Sequence, residues 1–217
     1  MKLHFSLRVA EKAHLFLAQV LLRMILSCVL HVAMAKQVTP EHYELKVVLY
    51  QIEPSIWREV SIPSSATFLE LHHVLQAAMG WEDKHLHEFR HGKGKRLTSV
   101  IASVDEDIVQ GDDFRDENEV TLKEMLGRKR FPARMLYRYD FREDWIHEIA
   151  FLRKVECDEG MAKVLDGERN CPPEDAGGAH GYQACVDGDL DWMDDNYDPA
   201  KFEAKLAQNR VAKVKIG

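Results

Sequence analysis

Apolar and polar positions alternate first over residues 43–50, where YELKVVLY is rich in β-branched and aromatic residues and predicts a strand. A second strand is expected over 57–62, after Glu53-Pro54, with Pro63 closing it. The period then changes from two to about 3.6. Phe68, Leu71, Leu75, Ala78 and Met79 share one helical face, Thr67 and Glu70 have capping-box spacing, and Gly80 is placed to end the helix. Next come a short strand over His85–Arg90, a turn at Gly92 and Gly94, and a strand near 97–101. Thr121 and Glu124 repeat the capping-box spacing before a helix of one or two turns that Gly127 should end. Residues 135–141 and 145–155 read as a hairpin turning at Arg142-Glu143-Asp144. A last helix is expected over 199–214, with Phe202, Leu206 and Val211 on its apolar face. The class implied is α+β: a largely antiparallel sheet with a capped helix packed on it and a C-terminal helix.

Composition narrows this picture. A chain of 217 residues, 46% of them hydrophobic, can bury roughly 70% of its extended surface. With 12 Gly, 7 Pro and 4 Cys it is neither collagen-like nor a disulfide scaffold. A net charge of −7 opposes general attraction to nucleic acid or anionic membranes. The negative charge is concentrated. Residues 105–119 hold eight carboxylates against Arg115 alone, which reads as a solvated loop, and they lack the order of an EF-hand. Residues 157–198 set twelve acidic side chains against Lys163 and Arg169 and are dense in Pro and Gly, so an irregular segment is expected there. Cys28, Cys157, Cys171 and Cys185 include no C-x-x-C pair, which favours reduced thiols and a cytoplasmic protein.

Residues 1–35 stand apart from the domain expected over 36–217. Lys2, Arg8 and Lys12 precede an apolar stretch over 15–32, and Ala33-Met34-Ala35 supplies a small-x-small tripeptide, as in a secretory signal. Arg23 interrupts the stretch, at about 2.5–3.5 kcal/mol for insertion into a membrane. The alternatives are an over-long start upstream of Met34, a signal-like extension, or an amphipathic helix.

Five segments in order carry a family resemblance: IEPSIWREV at 52–60, LHHVLQAAMGW at 71–81, HLHEF at 85–89, YRYDFREDWIHEI at 137–149 and GERNCPPEDAGGAHGY at 167–182. Together they resemble the plasmid pRiA4b ORF-3-like proteins, over about 43–202. The resemblance implies an α+β domain carried by mobile genetic elements, some of it as passengers of insertion elements. It implies no catalytic residue. Family members often carry a second Cys five residues after the first in the Pro-Pro segment, where this chain has Ala176.

Three sets of residues could carry chemistry. His85 and His87 would lie on one face of a strand, about 6.6–6.8 Å apart, and His147 sits between Trp145 and Ile149 on another strand. If those strands are neighbours, three imidazoles could hold zinc or another transition metal and support a hydrolase. The alternative is that they hydrogen-bond within a half-buried sheet. Cys171, Glu174, Asp175, Gly177 and Gly178 could form a ligand or cation loop, or a rigid loop with its carboxylates capping a turn or pairing with Arg169. Arg128, Lys129 and Arg130 could contact phosphate in a DNA-associated accessory factor, although the acidic chain disfavours nucleic acid. His72 and His73 read as helix-surface residues, and Trp57, Trp81 and Trp145 as core or core edge. In the absence of a complete catalytic constellation, the expected function is noncatalytic binding of a protein or small ligand.

Overall fold

The computed structural model describes residues 19, 21–24, 41–93, 96–104, 114–157, 160–188 and 198. The chain divides into two units, Met1–Val38 and Thr39–Gly217. In the first, residues 21–24 are helical, with Leu21, Leu22 and Met24 exposed. The helix expected over 199–214 lies outside the described residues, as do residues 105–113 of the acidic loop. Among the described residues, no helix is long and apolar enough to cross a membrane.

Among its described residues, the second unit is an eight-stranded sheet with three helices. Its elements are β1 (Glu41–Leu49), β2 (Trp57–Pro63), α1 (Phe68–Met79), β3 (His87–Lys93), β4 (Arg96–Ala102), β5 (Phe114–Asp116), α2 (Leu122–Leu126), β6 (Ala133–Tyr139), β7 (Trp145–Glu156), β8 (Lys163–Glu168) and α3 (Gly178–Val186). The spatial order is β5-β4-β3-β6-β7-β1-β2-β8. Every pair is antiparallel except β4–β5. This is the expected α+β class, and both capping boxes are formed, at Thr67–Glu70 and Thr121–Glu124. Gly80 ends α1 at φ 81, in the left-handed region that only glycine enters without a Cβ clash.

Strand alternation sends every second side chain to one face. Register then lays Phe89, Tyr137, His147 and Leu49 in one row across β3, β6, β7 and β1, with His87, Tyr139 and Trp145 in the next. Helix α1 lies over these rows, with Phe68 meeting Phe89 edge to face at 5.1 Å. The core is thus aromatic and partly polar on the side where α1 sits.

Two expectations are corrected. Residues 157–198 are not irregular throughout, since they contain β8 and α3. β8 is a sheet edge with mainly Val164 buried, so it lacks strand alternation, and α3 holds two glycines yet is anchored by the buried Tyr182 and Cys185. The acidic stretch over 105–119 is likewise not all solvated loop. Phe114–Asp116 forms β5, and Glu117 is buried beneath α1.

Thr67→Ala removes the hydroxyl that accepts from Glu70 N–H. It should cost about 1 kcal/mol of unfolding free energy, read as a lower urea midpoint at unchanged slope.

Candidate functional site

Between α1 and the sheet, polar side chains close a hydrogen-bond circuit. Gln76 Oε1 accepts the Asp83 N–H at 3.1 Å, so its Nε2 is the atom that donates to the Tyr137 hydroxyl oxygen, at 2.9 Å. Tyr137 then donates to His72 Nδ1 at 2.8 Å, and His72 Nε2 donates to Asp83 Oδ1 at 2.7 Å. The other histidine tautomer would place two acceptors face to face at Asp83. His72 is 1% exposed, and burial, with His87 and His73 nearby, lowers its pKa to about 2. The Asp83 carboxylate works against this shift, but it is 42% exposed and screened by water, so we read the ring as neutral.

His87 stacks on His72 with ring centroids 3.5 Å apart and planes 5° from parallel. Its Nε2 lies 2.7 Å from the buried Glu117 carboxylate. His147 is fully buried against Trp81 and Tyr137, with centroids at 5.2 and 5.1 Å. Neither of its ring nitrogens makes a hydrogen bond of acceptable geometry, although backbone groups of Tyr137 and Trp145 lie close enough to favour a proton. Desolvation wins, and the pKa falls to about 3.

A second polar system clamps the Pro-Pro loop onto the end of α1. Arg58 is buried, and its five N–H donors reach the carbonyls of Ala78, Trp57, Glu168 and Arg169 and the Cys171 sulfur, at 2.8–3.1 Å. Trp81 Nε1 donates to Pro172 O at 2.7 Å. Glu174 is buried: its carboxylate accepts from the Tyr139 hydroxyl and, at 3.0 Å, from Glu82 N–H, while its carbonyl accepts from Trp145 Nε1 at 3.0 Å. Burial and the bond to Glu174 raise the Tyr139 pKa. Burial pushes the Cys171 thiol up to about 11, against the pull of Arg58, so at neutral pH it is no thiolate nucleophile. An open cleft of roughly 340 Å³ remains between residues 79–84 and 171–175, with Trp81, Glu82, Lys84, Cys171 and Asp175 among its walls.

The structure separates the histidines that the sequence grouped. β3 begins at His87, so His85 lies ahead of the strand and does not share its alternation. β6 runs between β3 and β7, and its Tyr137 and Tyr139 fill the space where imidazoles were expected to meet. His85 instead lies 3.7 Å from Asp140 and 3.6 Å from Asp175. Among the described residues, the group whose ligand atoms all lie within 4.8 Å of one another is His72, His73 and Asp83. His72 is therefore not a surface residue, although the exposed His73 is.

Gly177 and Gly178 donate their N–H groups to the Glu143 carboxylate at 3.1 and 3.0 Å. Both are left-handed, and a Cβ on Gly178 would lie 2.2 Å from Glu143 O, so close packing on the β6–β7 turn accounts for Gly178 and backbone conformation for Gly177. Glu174 is bound by Tyr139 and not, as one expectation had it, by Arg169. Arg128 and Arg130 are exposed, but the Lys129 ammonium turns to His91 Nε2, and burial lowers its pKa. The three basic residues thus do not form one outward patch. Trp81 and Trp145 are core, while Trp57 is half-buried under Lys46, whose Nζ lies 3.6 Å from the ring centroid.

Sequence reasoning missed Arg58, Asp83, Glu117 and the role of His72. One signal was present: His72 and Gln76 stand four and eight residues after Phe68, inside the buried stripe of α1.

Fold and site together define an α+β domain with an imidazole–tyrosine layer under one helix and a clamped loop walling a cleft. The chain belongs to the plasmid pRiA4b ORF-3-like protein family, which it matches over residues 41–206. It is 39% identical over 145 residues to the uncharacterized protein y4hQ of Sinorhizobium fredii, covering 64% of this chain and 68% of that one. It also resembles the crystal structure of MM3350 from Methanosarcina mazei Go1, a protein of unknown function. The TM-score is 0.68 and the identity 30%, over 79% of this chain and 98% of that one.

Acid should destabilise the fold through its buried imidazoles. With the native His147 pKa near 3 and the ordinary value 6.5, the unfolded chain takes up a proton that the native state refuses between those values. Stability is therefore fully present above about pH 6.5 and falls toward pH 3, by up to about 1.4 kcal/mol per unit for this ring. Urea unfolding across pH 7.5 to 5 should show this slope, and His147→Leu should flatten it by about 1 kcal/mol per unit.

Proposed function

We propose that the protein is a noncatalytic binding module of the cytoplasm, encoded by mobile DNA, whose cleft takes a small ligand or a short protein segment bearing a positive charge. The observation that carries this reading is the clamped loop: Glu174 and Cys171 are committed to Tyr139, Glu82, Trp145 and Arg58. A wall whose carboxylate and thiol are both engaged is preorganised for binding and offers no activated nucleophile. The exposed Asp175 favours a cation, since Lys84 and Glu82 lie 2.6 Å apart and offset each other at the rim. The lack of any C-x-x-C pair among the four cysteines supports a reducing compartment. The plasmid in the family's name supports the link to mobile DNA.

The test is a small-molecule panel containing amines, guanidines and matched carboxylates, read by melting temperature and tryptophan fluorescence. Cationic members should raise the melting temperature of the wild type, and Asp175→Asn should lose about tenfold in affinity, or roughly 1.4 kcal/mol. Substrate turnover abolished by Asp175→Ala or His87→Ala would overturn the noncatalytic reading. Equal response to carboxylates would overturn the charge assignment.

A further inference from the structure

We propose that His72, His73 and Asp83 form a binding site for one divalent first-row transition-metal ion at the solvent edge of α1. Two imidazole nitrogens and a carboxylate oxygen, all within 4.8 Å of one another, are the donor set such ions take, with further positions open to water. Hard Mg²⁺ and Ca²⁺ prefer all-oxygen shells and fit less well. The site goes beyond the cleft reading and does not depend on it.

Helix geometry alone does not bring the ligands together, because consecutive helical residues diverge by about 100°. His72 and His73 nonetheless both aim Nε2 at one carboxylate, at 2.7 Å to Asp83 Oδ1 and 3.8 Å to Oδ2. Asp83 reaches back to the helix only because Gly80 reverses the chain and Asp83 itself adopts φ 60, a left-handed conformation uncommon for a residue with a Cβ. Gln76 holds its N–H in that position.

The inner ligand is also oriented from behind. His72 Nδ1 lies 2.8 Å from the Tyr137 oxygen, and the parallel ring of His87 fixes its plane. Metal-binding histidines are generally held in this way through their second nitrogen. On binding, the ion takes the place of the proton on His72 Nε2, the ring adopts its other tautomer with Nδ1–H donating to the Tyr137 oxygen, and the Tyr137 O–H, which donated to that nitrogen, rotates away from it. His73 and Asp83 are 45% and 42% exposed, which leaves the outer side open for entry of the ion.

Equilibrium dialysis of the tag-free, chelator-treated full chain against Zn²⁺ tests the site, with Co²⁺ absorption reporting the coordination. One equivalent should bind. His73→Ala and Asp83→Asn should each raise the dissociation constant by about tenfold or more, whereas His180→Ala, at an exposed position, should not. Both variants should fold, because His73 is exposed and Asn tolerates the left-handed conformation at 83; circular dichroism checks this. Wild-type protein that takes up no stoichiometric metal, or binding that survives in both variants, would overturn the proposal. Neither result bears on ligand binding in the cleft.

Discussion

Polar groups trapped between α1 and the sheet must find partners inside the protein, because each one left alone costs about 1–3 kcal/mol. That constraint fixes how α1 is seated on the apolar core. Asp83, His72, Tyr137 and Gln76 satisfy one another in a ring, and the ring holds only if α1 sits in one register over β6. His147 shows the alternative. Without good partners it survives burial by giving up its charge.

The same demand joins loop to core. Arg58 places all five donors on carbonyls and a sulfur drawn from β2, the end of α1, the end of β8 and the segment after it. Glu174 does the reverse, bringing a carboxylate from the Pro-Pro loop down to Tyr139 and to the backbone of Glu82. Residues 80–84 are thereby held from both sides. One side faces the cleft, and the other presents Asp83 to the histidines of α1. This short, doubly anchored stretch gives the two proposed sites a common wall.

Much of the framework was legible without coordinates. The strand over 43–50, the capped helix ending at Gly80, the second capping box and the hairpin around Arg142-Glu143-Asp144 all appear where the pattern put them. The candidate site was legible only in part. The Pro-Pro loop does line a cleft, and the aromatic and imidazole side chains do gather on one face of the sheet. The grouping of His85, His87 and His147 failed because it assumed that β3 and β7 are neighbours. Glu117 looked solvated because it sits in an acidic run, and charge density in sequence says nothing of which carboxylate turns inward.

Alternation, helical stripe, cap and turn depend on residues a few positions apart, so the sequence by itself determined them, and with them the α+β class and the family. Strand order, the insertion of β6 between two histidine-bearing strands, and the return of Asp83 onto α1 depend on contacts between distant segments. Those contacts were chosen by the joint burial of side chains that no local window contains. Only the tertiary structure could decide, therefore, that His72 and not His85 stands at the centre of the imidazole cluster, since a histidine's chemistry is set by what is packed around it.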